Sequence, residues 1–137
     1  MIAAAEIVPA DAATRTILIV DDDRSVADTF ARMLKLEGYG VATALSAEAG
    51  LALADSVRPH AIILDMRMPI VNGLQFLRML RARPHLIEVP VAIVTGDYFL
   101  DDAISAELKE LGAELKFKPL WLEDLVGLAR NLLKVTH

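Results

Sequence analysis

The chain contains no cysteine among its 137 residues. That excludes disulfide frameworks, thiol nucleophiles and thiolate metal sites, and it fits a reducing compartment. Aromatic residues are scarce, at 5%, although 55% of the sequence is hydrophobic, so the packing must be aliphatic. No apolar run approaches the roughly 18 residues of a membrane span; apolar residues come in short bursts such as Ile17–Val20 and Ala61–Leu64. A basic excess is missing too. The 14 Lys and Arg against 19 Asp and Glu leave a net charge of −5, with no patch or stripe of the kind a nucleic-acid footprint requires. There is no internal repeat, low-complexity segment or linker. What remains is about one domain's length, enough to bury about two-thirds of its unfolded surface. The mean hydropathy of +0.44 argues against disorder as the main state.

Residues 1–14 (MIAAAEIVPADAAT) hold no Lys or Arg, and Glu6, Pro9 and Asp11 interrupt their apolar residues. A secretory signal needs a basic start and an unbroken apolar stretch, so the expectation is a flexible surface tail on a cytoplasmic protein, with the folded domain running from 15 to 137.

From Thr16 onward two patterns alternate. Short apolar runs at Thr16–Val20, Val41–Ala44, Ala61–Leu64 and Val89–Val94 read as strands, and Glu114–Phe117 alternates like an edge strand. Between them the apolar residues recur with helical period. Val26, Phe30, Met33 and Leu34 would line one helix face, Leu100, Ile104, Leu108 and Leu111 a later one, and Leu122, Leu125, Ala129, Leu132 and Leu133 the last. Asp23 or Ser25, Ser46 and Asn72 are candidate N-caps, and Gly38 and Gly112 stand where helices stop. Five strands alternating with five helices predict a three-layer α/β sandwich with helices on both faces of a parallel sheet. Ligands of such sheets bind beyond the carboxyl ends of the strands.

The residues just after each apolar run therefore carry the functional reading. Asp21, Asp22 and Asp23 follow the first, Asp65 follows the third, Thr95 and Gly96 follow the fourth, and Lys118 and Pro119 follow the fifth. Carboxylates a few ångströms apart repel by about 4 kcal/mol per pair at an effective dielectric near 20, so such a cluster calls for a cation. An all-oxygen donor set suits a hard ion, Mg²⁺ best of all. A carboxylate beside Mg²⁺ and a lysine can attack phosphorus, the metal and lysine neutralising the transferring oxygens while a threonine hydroxyl bonds one of them. Glycine at 96 would let the backbone come close, with its N–H free to donate. The residues point to phosphoryl transfer onto an aspartate.

ILIVDDD, IILDMRMPIVNG, AIVTG and KFKPL, in that order at four strand ends, resemble the response regulator receiver domain, the CheY-like phosphoacceptor module of two-component signalling. The resemblance runs from about Thr16 to Leu133. It implies the flavodoxin-like strand order 2-1-3-4-5 and a phosphoacceptor at Asp65. It also implies Mg²⁺ held directly by Asp22 and Asp65, through water by Asp21, and by the Arg67 main-chain carbonyl. Thr95 would follow the phosphoryl group and Lys118 would pair with it, next to a cis Lys118–Pro119 bond. The implied donor is a sensor histidine kinase or a histidine phosphotransfer protein. The message would leave through an unidentified downstream protein, with a homodimer through the last helix as a further option and no direct binding of nucleic acid or membrane. The role is that of a switch rather than of an enzyme with metabolic turnover, and a receiver fills the chain without leaving room for an output domain.

Two departures from the family pattern stand out. Leu115 lies three residues before Lys118, where the family commonly has a tyrosine or phenylalanine that moves with the threonine. Gly96 stands where alanine is usual. Arg67 and Asp97, each two residues past a core group, occupy positions that tune dephosphorylation in the family, and their opposite charges could pair across the site mouth. Other residues have plainer readings: Asp23 as a helix cap, Met66 and Met68 as loop packing, Trp121 as a packed residue opening the last helix, and His60, His85 and His137 as residues unconnected with the chemistry. Two alternatives compete with the receiver reading. A phosphorylation-independent binding module would keep the fold and ignore Asp65. A haloacid-dehalogenase-type phosphatase would use Asp21 and Asp23 as D-x-D with Thr95 and Lys118, but it leaves Asp65 unexplained and lacks a further acidic strand end.

Overall fold

The computed structural model describes residues 15–96 and 100–134. The expected tail, Asp97 and His137 lie outside them. In chain order the elements are β1 (Thr16–Val20), α1 (Arg24–Leu36), β2 (Gly40–Ala44), α2 (Ala47–Val57), β3 (Ala61–Asp65), α3 (Gly73–Arg81), a 3₁₀ turn (Pro84–Leu86), β4 (Val91–Thr95), α4 (Asp102–Glu110), β5 (Ala113–Phe117) and α5 (Leu122–Lys134). All pairings are parallel, and the sheet order is β2-β1-β3-β4-β5, as the resemblance implies.

The period-2 geometry of a strand divides the apolar residues between two cores. Leu18, Val20, Ile62, Leu64, Val91 and Ile93 face α2, α3 and α4. Ile17, Ile19, Ala61, Ile63, Ala92 and Val94 face α1 and α5. Every residue of β3 and β4 is buried, as central strands covered on both faces are, and all but the terminal Asp65 and Thr95 are apolar. β2 and β5 form the two edges and are only partly covered.

Helix starts follow the caps. Asp23 accepts from the amides of Ser25 and Val26, Ser46 from that of Ala49, and Asn72 and Gln75 form a reciprocal capping box. Gly38 and Gly112 adopt φ of 98° and 82° at helix ends, the left-handed stop that glycine accepts without a Cβ clash.

Several expectations need correction. Trp121 is not packed: it is 69% exposed and precedes α5, its amide donating to Asp124 Oδ2 at 3.0 Å. Leu122 is exposed as well, so the buried stripe of α5 starts at Leu125. Leu100 lies before α4, which is capped by Asp101. β4 starts at Val91, not Val89, since Pro90 has no amide to give the ladder.

Candidate functional site

Four ladder ends converge at the carboxyl edge of the sheet. The Asp21 amide donates to the Ala44 carbonyl at 3.0 Å, that of Met66 to Val94 at 3.2 Å, and that of Lys118 to Thr95 at 2.8 Å. These bonds extend the sheet one residue past its strands, so the polar side chains at the ends keep the sheet's register. Asp21 and Asp65 are almost fully buried, at 4% and 7% exposure, and Thr95 is completely buried. Asp22 is exposed at the mouth.

One carboxylate oxygen each from Asp21, Asp22 and Asp65 lie within 4.8 Å of one another. Lys118 Nζ stands 3.3 Å from Asp65 Oδ1 and 3.8 Å from Asp21 Oδ2. The Lys118 ammonium thus pairs with two of the three clustered carboxylates. Burial pushes the Asp65 carboxyl above its ordinary 3.8, opposed by Lys118 and by a hydrogen bond from the Arg67 amide. Burial likewise raises Asp21, opposed by the Asp23 amide at 2.9 Å and reinforced by the charge on Asp65. The fold therefore holds a surplus of negative charge that a hard dication relieves, and the all-oxygen donor set fits Mg²⁺.

The loop after Asp65 is pinned from below. The Gly73 amide donates to the Met66 carbonyl at 2.8 Å, and a Cβ at 73 would stand 2.9 Å from Met66 Cα and 3.0 Å from the Asp65 carbonyl oxygen. Only glycine lets α3 approach this closely. The glycine of the M-P-x-x-N-G turn carries that information, though the sequence reading gave it no role. Met66 and Met68 are buried as loop packing. Between them and the helix, Ile70 has φ 71° and is 98% exposed, with the Val71 amide donating across it to the Pro69 carbonyl at 2.8 Å. That is a γ-turn with positive φ at a β-branched residue, and nothing in the sequence signals it.

The remaining candidates are placed as follows. A Cβ at Gly96 would meet nothing within 4 Å, so packing within the protein does not itself require glycine there. Leu115 is half-buried on β5 and packs against the core under α2, α3 and α4. Arg67 is exposed beside the mouth; its proposed partner Asp97 is outside the described residues. The Lys118–Pro119 bond is cis. Asp23 spends its carboxylate on the α1 cap, accepting from Ser25 Oγ at 2.7 Å as well as from two amides, so D-x-D use of Asp21 with Asp23 finds no geometry. Glu123 and Asp124 lie in the first turn of α5 and supply no acidic strand end. His60 Nδ1 accepts from the Thr16 amide at 3.0 Å, and His85 Nε2 stands 3.0 Å from Asp55, both remote from the site in the fold.

Comparison with known proteins agrees with this geometry. A family model described as the response regulator receiver domain matches residues 17–129. The chain is 36% identical over 119 residues to the transcriptional regulatory protein PrrA of Mycobacterium tuberculosis, covering 86% of this chain and 49% of that protein. It is also 36% identical over 123 residues to the response regulator MprA of Mycolicibacterium vanbaalenii, covering 88% and 51%. It thus spans about half the length of these curated relatives. Among solved structures, the chemotaxis protein CheY4 of Vibrio cholerae aligns with TM-score 0.80 at 28% identity, covering 87% of this chain and 98% of that one. A response regulator receiver domain protein from Clostridium thermocellum aligns with TM-score 0.75 at 33% identity, covering 88% and 94%. The chain belongs to the response regulator receiver domain family, and its acidic cluster fits the phosphoacceptor site of that family.

Proposed function

We propose that Asp65 is the phosphoacceptor of this receiver domain. The single observation that carries the reading is a nearly buried carboxylate 3.3 Å from a lysine ammonium, with two further carboxylates within 4.8 Å. In the transfer, an Asp65 oxygen bonds to phosphorus as the bond from phosphorus to the donor's imidazole nitrogen breaks, and that nitrogen keeps the electron pair. Asp22 and Asp65 would hold Mg²⁺ directly, with Asp21 acting through water and the Arg67 carbonyl as a further ligand. The bound ion would neutralise charge on the transferring phosphoryl oxygens. Lys118 orients the acceptor and then pairs with the new phosphoryl group; the Thr95 hydroxyl and the Gly96 amide donate to it. Arg67 and Asp97 tune hydrolysis of the acyl phosphate at the mouth.

The donor in this reading is a sensor histidine kinase or a histidine phosphotransfer protein, and the receptor of the message is a downstream protein or a second copy of the chain through α5. The setting is cytoplasmic, with residues 15–137 as the receiver; no described helix is long and apolar enough to cross a membrane. The role is signalling rather than metabolic turnover. The test is intact-mass analysis after incubation with acetyl phosphate and Mg²⁺. One phosphoryl group should be gained by the wild type, none by Asp65→Asn, and none after chelation of the metal. Equal labelling of Asp65→Asn would overturn the assignment. If labelling is normal but self-association and partner affinity stay flat, the phosphorylation-independent binding module is the better reading.

A further inference from the structure

The carboxyl edge of the sheet also holds a cleft of about 500 Å³. Among the described residues its walls come from the segments that follow β1, β3 and β4: Asp22 after the first, Met66, Met68 and Pro69 after the second, and Leu100 and Ile104 after the third. In the sheet order β3 lies between β1 and β4. A cleft walled by the exits of all three strands therefore runs across the carboxyl end of β3, where Asp65 stands. Its two sides differ in chemistry. Asp22 belongs to the acidic cluster, whereas the opposite wall is apolar. Met66 and Met68 are buried, and Leu100 and Ile104 are half-buried against the same core, so the core behind that wall holds it in place.

These surroundings discriminate between leaving groups. Phosphorus moving onto Asp65 sheds a group roughly in line with the attacking oxygen and on its far side, beyond the strand end that the cleft crosses. A group that departs as an anion meets the charge of Asp22. One that departs neutral and flat meets methionine sulfur and aliphatic carbon, surroundings that favour an aromatic ring. We propose that this cleft receives the departing imidazole of a phosphohistidine donor, with Met68, Leu100 and Ile104 packing against the ring. As an Asp65 oxygen bonds to phosphorus, the phosphorus–nitrogen bond breaks. The nitrogen keeps the electron pair and, with a proton from solvent, the ring leaves as neutral imidazole. The inference rests on Asp65 being the phosphoacceptor and deepens that reading: apolar side chains outside the charged cluster select the donor by its leaving group.

Labelling rates are measured by intact mass, with Mg²⁺ present, using N-phosphorylimidazole and phosphoramidate as donors to the wild type, Ile104→Ala and Leu100→Ala. Both donors break a phosphorus–nitrogen bond, but phosphoramidate sheds ammonia, which has no ring to pack. The ratio of the two rates, compared between proteins, cancels each donor's own reactivity and any general loss from a disturbed fold. The ratio of phosphorylimidazole to phosphoramidate should fall by about tenfold in both variants. A wild-type ratio in either variant overturns the inference, and labelling confined to Asp65 then leaves the phosphoacceptor reading standing. Equal labelling of Asp65→Asn overturns that reading and this inference with it.

Discussion

Asp21 and Asp65 are carboxylates that the fold holds out of water beside one another, and burial is the largest influence on each. A raised native value means that the folded chain binds a proton more tightly than the unfolded one. Between the ordinary carboxyl value of 3.8 and the raised native one, stability therefore falls as pH rises. Asp65→Asn should accordingly stabilise the metal-free protein at pH 7. The gain should shrink as pH drops through the native carboxyl value and vanish below 3.8; thermal melts of both proteins across that range check the sign. Ile70 carries a different kind of stored cost. Its positive φ is strained for a β-branched side chain, and at 98% exposure it buries nothing in return. Ile70→Asn should raise stability by about 1 kcal/mol, measured by urea unfolding; a loss would mean that the turn is not strained. The acidic residues were legible from the sequence because each directly follows an apolar run. Ile70 was not, since a positive φ at a non-glycine residue leaves no mark in composition or period. The exposure of Trp121 escapes the sequence for a related reason: burial at a helix start depends on which neighbours the fold brings to it, and Trp121 is left 69% exposed.

At the scale of elements, the caps and stops were readable because they depend on single residues with local bonds: Asp23, Ser46 and Asn72 begin helices as expected. Contacts between elements were not. The approach of α3 to the Asp65 loop is visible only when a Cβ is built at Gly73 and meets backbone on the other side. The Arg78–Glu107 fork joining α3 to α4, at 2.5 and 2.6 Å, likewise needs the fold to bring residues from two helices together. The two glycines beside the site should consequently behave in opposite ways. Gly73→Ala must displace the Asp65–Met66 backbone, and it should cost roughly 1–3 kcal/mol together with slower phosphorylation by acetyl phosphate. Gly96→Ala, with open space around its Cβ, should lie within about 0.5 kcal/mol of wild type. Equal effects at both positions would contradict the packing argument.

For the whole molecule, a doubly covered parallel sheet explains how a chain without cysteine and with few aromatics holds its shape: two aliphatic cores lie back to back, and the polar groups that matter are confined to one edge. The net charge of −5 is less diffuse than the composition suggests, since three of its acids share one site. Strand order and site location were legible because order of motifs and order of strand ends coincide. The placement of Phe117 opposite Thr95 was not, because it depends on the ladder register. Concentrated charge makes stability depend on the cation. Mg²⁺ at about 100 times its Kd should stabilise the fold by about 2.7 kcal/mol, a rise in Tm of roughly 10 °C, with most of that rise lost in Asp22→Ala.

The most direct measurement locates the phosphoryl group itself. The protein is incubated with acetyl phosphate and Mg²⁺, reduced with borohydride so that an acyl phosphate is converted to the corresponding alcohol, digested and sequenced by mass spectrometry. Aspartyl phosphate chemistry at the edge of this sheet predicts reduction at Asp65 alone, with Asp21 and Asp22 unmodified. Reduction at Asp21 or Asp22, or a phosphoryl group that survives borohydride on a serine or threonine, would contradict it.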